Sequence, residues 1–588
     1  MGSWTKGILL AGMGLALTSF TSEPHYSSTT LDALDPSRLA QTFCGGKGGS
    51  ALLSRLLIAQ AYAAPANDQR PIPLYPDLIT SRFGVTTRNE KARRYFSQGL
   101  MLSYGFNHAG AVRSFRAAQR LDPGCAMCWW GEAVALGPNI NAPMDDRDRD
   151  VALAAMDKAM ALRGKASPME RALIEAVAVR YSRDAAVNRA DLDAAYSDAM
   201  LSVARQFPDD DDVAVLAAEA AMDTTPWNYW EADKRTPIGR IGEAIGLIER
   251  VQARNPTHVQ AIHLAIHLLE ASDPQRAEAA ADRLAKPLVP SAAHLVHMPA
   301  HIYYGRGRYK DSIRVNLAAA RADEAYMRSA GDNGLVRYGY YPHNIHFIVT
   351  SAQMAGDMST AMREARRLRA VLDPATSAKI AWVQAIDAAP FLAMAQFAAP
   401  DAILALPEPD ARLPYARAMR HYARAVAHAE LKNNAAFDQE MAAIDRIAGS
   451  GELEGMVSQG VPAPDLLALA QAVARGRRAM ASGNFAQAAE QYRAAIQIES
   501  KIPYNEPPYW YYPVRQSLGA ALFLDGKYSD ASREFRNALL QAPNNGWALF
   551  GLAQSEDALG HKLEAAAARR AHSRAWVGKA NWLRMERL

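Results

Sequence analysis

Eight of the fourteen histidines in this 588-residue sequence are His258, His263, His267, His294, His297, His301, His343 and His346. All but His258 lie in three short strings, HLAIH, HLVHMPAH and HNIH. His263 and His267 are four residues apart, as are His297 and His301. On a helix that spacing stacks two imidazoles one turn apart, the arrangement in which a pair of histidines chelates one metal ion. His343 or His346 can complete a three-histidine set. Glu270, close beyond His267, is a candidate carboxylate ligand or base. Imidazole-rich ligation suits copper, zinc, iron or nickel better than magnesium or calcium. Pro299, inside HMPAH, removes a backbone donor and is expected to kink its helix and re-aim His301.

The three strings share a register. Measured from the turn residues Ser272, Gly307 and Gly356, His294 and His343 occupy one offset and His297 and His346 another. With His263, His267 and His301 they cover a single arc of roughly 140° at ~100° per residue. Helices that lie side by side with a common face turned inward bring such rings into one groove. The plainer reading is that the imidazoles line a groove for a peptide, or are core histidines with satisfied hydrogen bonds.

The elements that would position them are helical. From Lys91 onward apolar residues recur with helical period and alternating β-branched runs are absent. The string ARRYFSQGLMLSYGFNHAGAVRSFRAAQRLDP reads as two amphipathic helices joined by a tight turn at Phe106–Asn107. Small Ala111 and Ala118 mark the helix crossing, and Asp122-Pro123 ends the second helix. Similar units begin at Gly307, Gly483 and Gly526. The order Ala111, Phe115, Ala118, Pro123 resembles the tetratricopeptide (TPR) repeat. CAMCWWGEAVALGPNINAP, MDTTPWNYW, HLVHMPAHIYYGRGRY, YYPHNIHF and EPPYWYYPVRQSLGAAL resemble a group of exported bacterial TPR proteins. The resemblance implies an all-α, TPR-like α-solenoid, a right-handed superhelix of antiparallel helix pairs whose first helices line a concave face. Organisation is expected as a leader over 1–64, a linker over 65–90, an N-terminal array over 91–387 carrying the histidines, a joint over 388–414 and a C-terminal array over 415–588.

Other residues could serve a groove. Glu219 and Asp223 stand one helical turn apart, ahead of a loop bearing Trp227, Tyr229 and Trp230, and are candidate acid/base groups. A helix cap at Asp223 with packed aromatics is the alternative. Glu132, a charge within an apolar helix, has similar standing, with Asn139 and Asn141 just beyond. Tyr509 to Tyr512 and Arg515 form an aromatic cluster suited to packing between repeats, or to holding a carboxylate or peptide. His108, His421 and His428 read as structural. Cys125 and Cys128 lack the following histidine of a haem site and are expected as buried small side chains, with a local disulfide or a soft-metal pair as alternatives.

Composition bounds the function class. A 49% hydrophobic chain with 65 basic and 61 acidic residues, both signs scattered, has no basic stripe interleaved with aromatics, which argues against nucleic-acid binding. Walker, Rossmann, nucleophile-elbow and HExxH strings are missing. Two apolar N-terminal segments, GILLAGMGLAL after Lys6 and LLIAQAYAAPA after Arg55, read as export signals, the second with Ala61 and Ala63 before a cleavage point. A periplasmic or secreted mature chain without a membrane span is expected. The leading expectation is a metal-dependent enzyme acting on a small-molecule or peptide substrate. A non-catalytic scaffold for a protein or peptide partner is the alternative, and metal storage or delivery a third.

Overall fold

The computed structural model describes residues 70–588, apart from 80–82, 142–143, 145, 185, 287 and 332–333. The expected leader therefore lies outside the described residues, as do residues 65–69 and 80–82 of the linker. Among the described residues there is no strand; a single isolated bridge joins Trp230 and Pro237. No helix among them is long and apolar enough to cross a membrane.

The chain is an all-α, TPR-like solenoid. Helices α1 (Glu90–Tyr104), α2 (His108–Leu121) and α3 (Ala126–Ala135) open it, each packed on its neighbour in sequence. Side-chain caps start the first two: Asn89 accepts from the Ala92 N–H and Asn107 from the Gly110 N–H. Their packing explains the repeat pattern. The ring of Phe115 on α2 fills hollows left by Gly99 on α1 and Gly131 on α3, sixteen residues to either side; a Cβ at these glycines would lie 2.7 and 2.4 Å from the ring. Phe535 sits in the same way between Gly519 and Gly551 near the other end of the chain. A bulky ring thus locks each pair to the next, which is nearest-neighbour stabilisation in atomic form.

Three successive first helices carry the histidines. α4 (Val259–Leu269) pairs with α5 (Pro274–Leu284). The next is broken at Pro299 into α6 (Ala293–His297) and α7 (Pro299–Gly305), as the missing proline N–H requires, and packs on α8 (Tyr309–Ala330). The third, α9 (Tyr341–Ala355), follows a π-helical turn over Val336–Tyr340 and pairs with α10 (Met358–Val371). Gly307 and Gly356, with φ of +69° and +72°, take left-handed turn conformations.

The far end of the chain closes on α9. The Trp547 indole N–H donates to the Gln353 carbonyl at 2.9 Å, and the Val577 N–H donates to the Ala355 carbonyl at 2.9 Å. One apolar cluster runs from Ile262 to Leu588 straight through residues 388–414, while a second spans Ile72 to Val336. The two meet around the histidine helices. That closure also carries the irregular segment 503–513 across the hollow.

Candidate metal centre

The structure gathers six of the seven candidate imidazoles into two adjacent sets of three. His263, His267 and His294 form one set and His297, His301 and His343 the other, with ligand atoms in each within 4.8 Å of one another. All but His343 are buried. Between sets, the His294 and His297 ring centroids are 6.0 Å apart, and those of His267 and His301 are 6.4 Å apart. Each set rests on one phenylalanine. Phe106 lies 4.6, 5.7 and 5.2 Å from the rings of His263, His267 and His294. Phe347 lies 5.0 Å from each of His297, His301 and His343. Phe106 is held at φ +53°, a conformation that a bulky residue keeps only when its surroundings impose it.

Nδ1 of four imidazoles faces an oxygen. His263 Nδ1 lies 3.1 Å from Gln260 Oε1, and the Gln260 amide nitrogen donates to Glu219 at 3.0 Å. His297 Nδ1 lies 2.6 Å from Asn316 Oδ1, and the Asn316 amide nitrogen donates to the Ser312 carbonyl at 2.9 Å. His267 Nδ1 is 3.0 Å from Glu270 Oε1. His301 Nδ1 is 3.0 Å from Glu270 Oε2 and also bonds Glu506. Each Nδ1 must carry a proton to meet an oxygen acceptor, so in the neutral rings of His263, His267 and His297 the Nε2 presents its lone pair inward. The Nε2 of His263 is 3.2 Å from that of His294, and the Nε2 of His297 is 2.9 Å from that of His301. His267 Nε2 and His294 Nδ1 are buried without a hydrogen-bond partner. Two ligands on one ion with bonds of about 2.0–2.1 Å stand roughly 2.8–3.4 Å apart, so these spacings fit a shared cation. Oxygen partners behind the ligand rings are what metal sites use to fix ring orientation.

Electrostatics divides the site. Burial, reinforced by neighbouring imidazoles, holds His263, His294, His297 and His343 well below the ordinary imidazole range. Burial also lowers His267, against the pull of Glu270. At His301 burial is outweighed by Glu270 and Glu506, which push it up to about 10. Glu270, facing both His301 and His267, is drawn down to about 2 in spite of burial. Burial pushes Glu506 up to about 7 against the pull of His301. A metal-free centre therefore keeps one imidazolium, at His301, between two carboxylates, and its Nε2–H points at the His297 lone pair.

Some sequence expectations are redirected. His346 stands outside both sets: its Nε2 is 2.6 Å from the Tyr511 hydroxyl, and burial takes it down to about 3. Asp223 pairs with buried Arg180 at 2.9 Å, and with Glu219 it lines a separate small cavity beside His108. Glu219, which burial pushes up to about 7, reaches the histidines only through Gln260. Neither carboxylate lines the main cavity. Glu132 is bonded to Arg116 and Gln119, and His108 to the Ala135 carbonyl at 2.8 Å. His258 caps α4, and His421 bonds Glu440 at 2.6 Å. Cys125 and Cys128 are joined as a disulfide.

Sequence reasoning missed Glu506, which with Glu270 and His301 forms a third potential ligand group. It also missed the orienting role of Gln260 and Asn316. Beside the histidines opens a cavity of about 160 Å³, whose wall includes Trp227, Tyr340, Trp382, Tyr504 and Tyr511.

No protein-family profile and no curated protein matches the sequence. Among solved structures, yeast Tom70 aligns over 83% of this chain and 93% of its own at 10% identity and a TM-score of 0.28. Human IFIT1, as a dimer with m7Gppp-AAAA, aligns over 93% and 98% at 10% identity and 0.29. Cut9 in the APC/C Cut9–Hcn1 hetero-tetramer aligns over 82% and 90% at 14% identity and 0.24. Values this low carry no argument about this chain, whose helical-repeat character rests on its own packing.

Proposed function

We propose that this helical-repeat protein holds two transition-metal ions, one in each three-histidine set, and uses them in metal-dependent chemistry on a molecule admitted to the adjoining cavity. The observation that carries the reading is the orientation of the rings: Nδ1 of His263, His267, His297 and His301 each meets an oxygen, while the Nε2 atoms of His297 and His301 lie 2.9 Å apart and those of His263 and His294 3.2 Å apart. Nitrogen-dominated ligation favours copper, zinc or iron. Glu270 lies between the sets, within reach of both His267 and His301, and as a carboxylate is placed to orient the two rings from behind. When bound, such ions would supply Lewis-acid or redox chemistry. The chain's own contribution is to fix ring orientation, restrict water and present Glu506 from across the hollow.

Elemental analysis of untagged full-length protein tests this directly. About two equivalents of copper, zinc or iron per chain are expected; protein that neither retains nor takes up any of the three removes the proposal.

The second reading is a scaffold without turnover for a protein or peptide partner. It is favoured by the fold itself, since a stack of helix pairs presents an extended lateral surface. It predicts metal-free protein with a partner retained in a pull-down. On either reading we place the mature chain in the periplasm or outside the cell, in keeping with the two apolar N-terminal segments and with a disulfide that persists in oxidising compartments.

A further inference from the structure

We infer that the cavity beside the histidines takes a small molecule built on a single aromatic ring bearing an oxygen acceptor, phenol being the simplest example. The inference deepens the metal reading of the same site, on which any reaction of the bound molecule rests; the binding itself needs no metal.

Size comes first. At about 160 Å³ the cavity is close to engineered apolar cavities of about 150 Å³ that bind benzene, which matches it to one ring better than to a fused pair. Its wall is the second argument. Trp227, Tyr340, Trp382, Tyr504 and Tyr511 surround the space, with Leu335 among the aliphatic contacts. Rings of this kind favour edge-to-face and offset contacts with another ring.

Polarity is the third. Trp227 and Trp382 both line the cavity, and the indole N–H of each is buried with no partner among the described residues. An indole can only donate, and a buried donor without an acceptor destabilises the protein unless something fills the role. An oxygen on the ligand would do so. Trp227 is moreover held at φ +63°, edge-on to His267 with ring centroids 5.1 Å apart. A left-handed tryptophan is rare and persists only where its surroundings impose it.

Phenol titrated into full-length protein, followed by calorimetry and saturation-transfer NMR, tests the inference, once after chelator treatment and once with metal restored. One phenol per chain is expected in both. Benzene should bind roughly ten-fold more weakly, and 1-naphthol should fail to bind. N-Acetyltyrosinamide should also bind at least ten-fold more weakly than phenol, because its amide groups exceed the space; the reverse order would assign the ring to a peptide and overturn the small-molecule source. Trp227→Phe and Trp382→Phe should each weaken phenol several-fold and benzene by less, so that the preference for phenol over benzene shrinks. Ala385→Phe, which fills the space from the wall, should abolish binding while metal content and helical circular dichroism persist. Equal binding of phenol and benzene, tight binding of 1-naphthol, or phenol binding that survives Ala385→Phe each overturns the inference. Protein that binds phenol but no metal sinks the metal reading alone; protein that holds metal but refuses phenol sinks this one alone.

Discussion

Asn316 Oδ1 lies 2.6 Å from His297 Nδ1, and the Asn316 amide nitrogen is committed to the Ser312 carbonyl at 2.9 Å. The pair fixes one tautomer of His297, with its Nε2 lone pair turned toward His301. Asn316→Leu should therefore weaken metal affinity by about 10–100-fold, because the ring loses the partner that orients it. Competition against a chromophoric chelator measures this. An affinity unchanged within two-fold would mean that packing against Phe347 suffices to hold the ring.

The two sets should empty independently. His263→Ala with His267→Ala is expected to remove about one metal equivalent, and His297→Ala with His301→Ala the other. Elemental analysis alongside circular dichroism is the check. Loss of all metal from either double variant, with helicity retained, would point to a single shared ion.

Metal-free protein should lose stability in acid. His346 sits near 3 when folded against an ordinary 6.5, so below pH 6.5 the unfolded chain binds a proton that the folded chain refuses. His263, His267, His294, His297 and His343 are shifted the same way, and their contributions are likewise present above pH 6.5 and lost as pH falls. His301, raised to about 10, has the opposite sign: its contribution is complete below pH 6.5 and disappears as pH rises through 10. The melting temperature of chelator-treated protein should thus be highest near pH 7, decline gradually toward pH 9 as His301 loses its contribution, and fall steeply toward pH 5. A flat profile from pH 8 to 5 would contradict the burial of these rings.

The fold has its own test in the ring-over-glycine contacts. A Cβ at Gly551 would lie 2.1 Å from Phe535, whereas one at Gly164 meets nothing within 4 Å. Gly551→Ala should cost about 1–3 kcal/mol of stability by overpacking, and Gly164→Ala should fall within about 0.5 kcal/mol of neutral. Urea denaturation of the two variants compares them. Equal effects would mean that the helix crossing has slack.

Ala111, Phe115 and Ala118 advertise a helix crossing in the bare sequence because close approach restricts which side chains fit. The histidines signal convergence because a shared arc on successive first helices leaves them one wall to occupy. Glu506 and Tyr511 carry no such signal: they lie in irregular chain, and only docking onto helices 205 and 165 residues upstream gives them a role. Asp223 misleads for the opposite reason. Its helical spacing from Glu219 is real, but Arg180, distant in sequence, claims it. Spacing alone likewise cannot separate packed thiols from a disulfide at Cys125 and Cys128, since three residues at a helix start suit both.

The 205-residue separation between His301 and Glu506 has a consequence for biogenesis. A nascent chain that has emerged only through residue 500 already displays every imidazole of both sets, yet on a wall facing open water. Ring closure over such a span is entropically slow compared with the stacking of adjacent helices. Completion of the hollow therefore waits on the final quarter of the polypeptide, and a truncated product would carry the imidazoles without Glu506, the second carboxylate that meets His301.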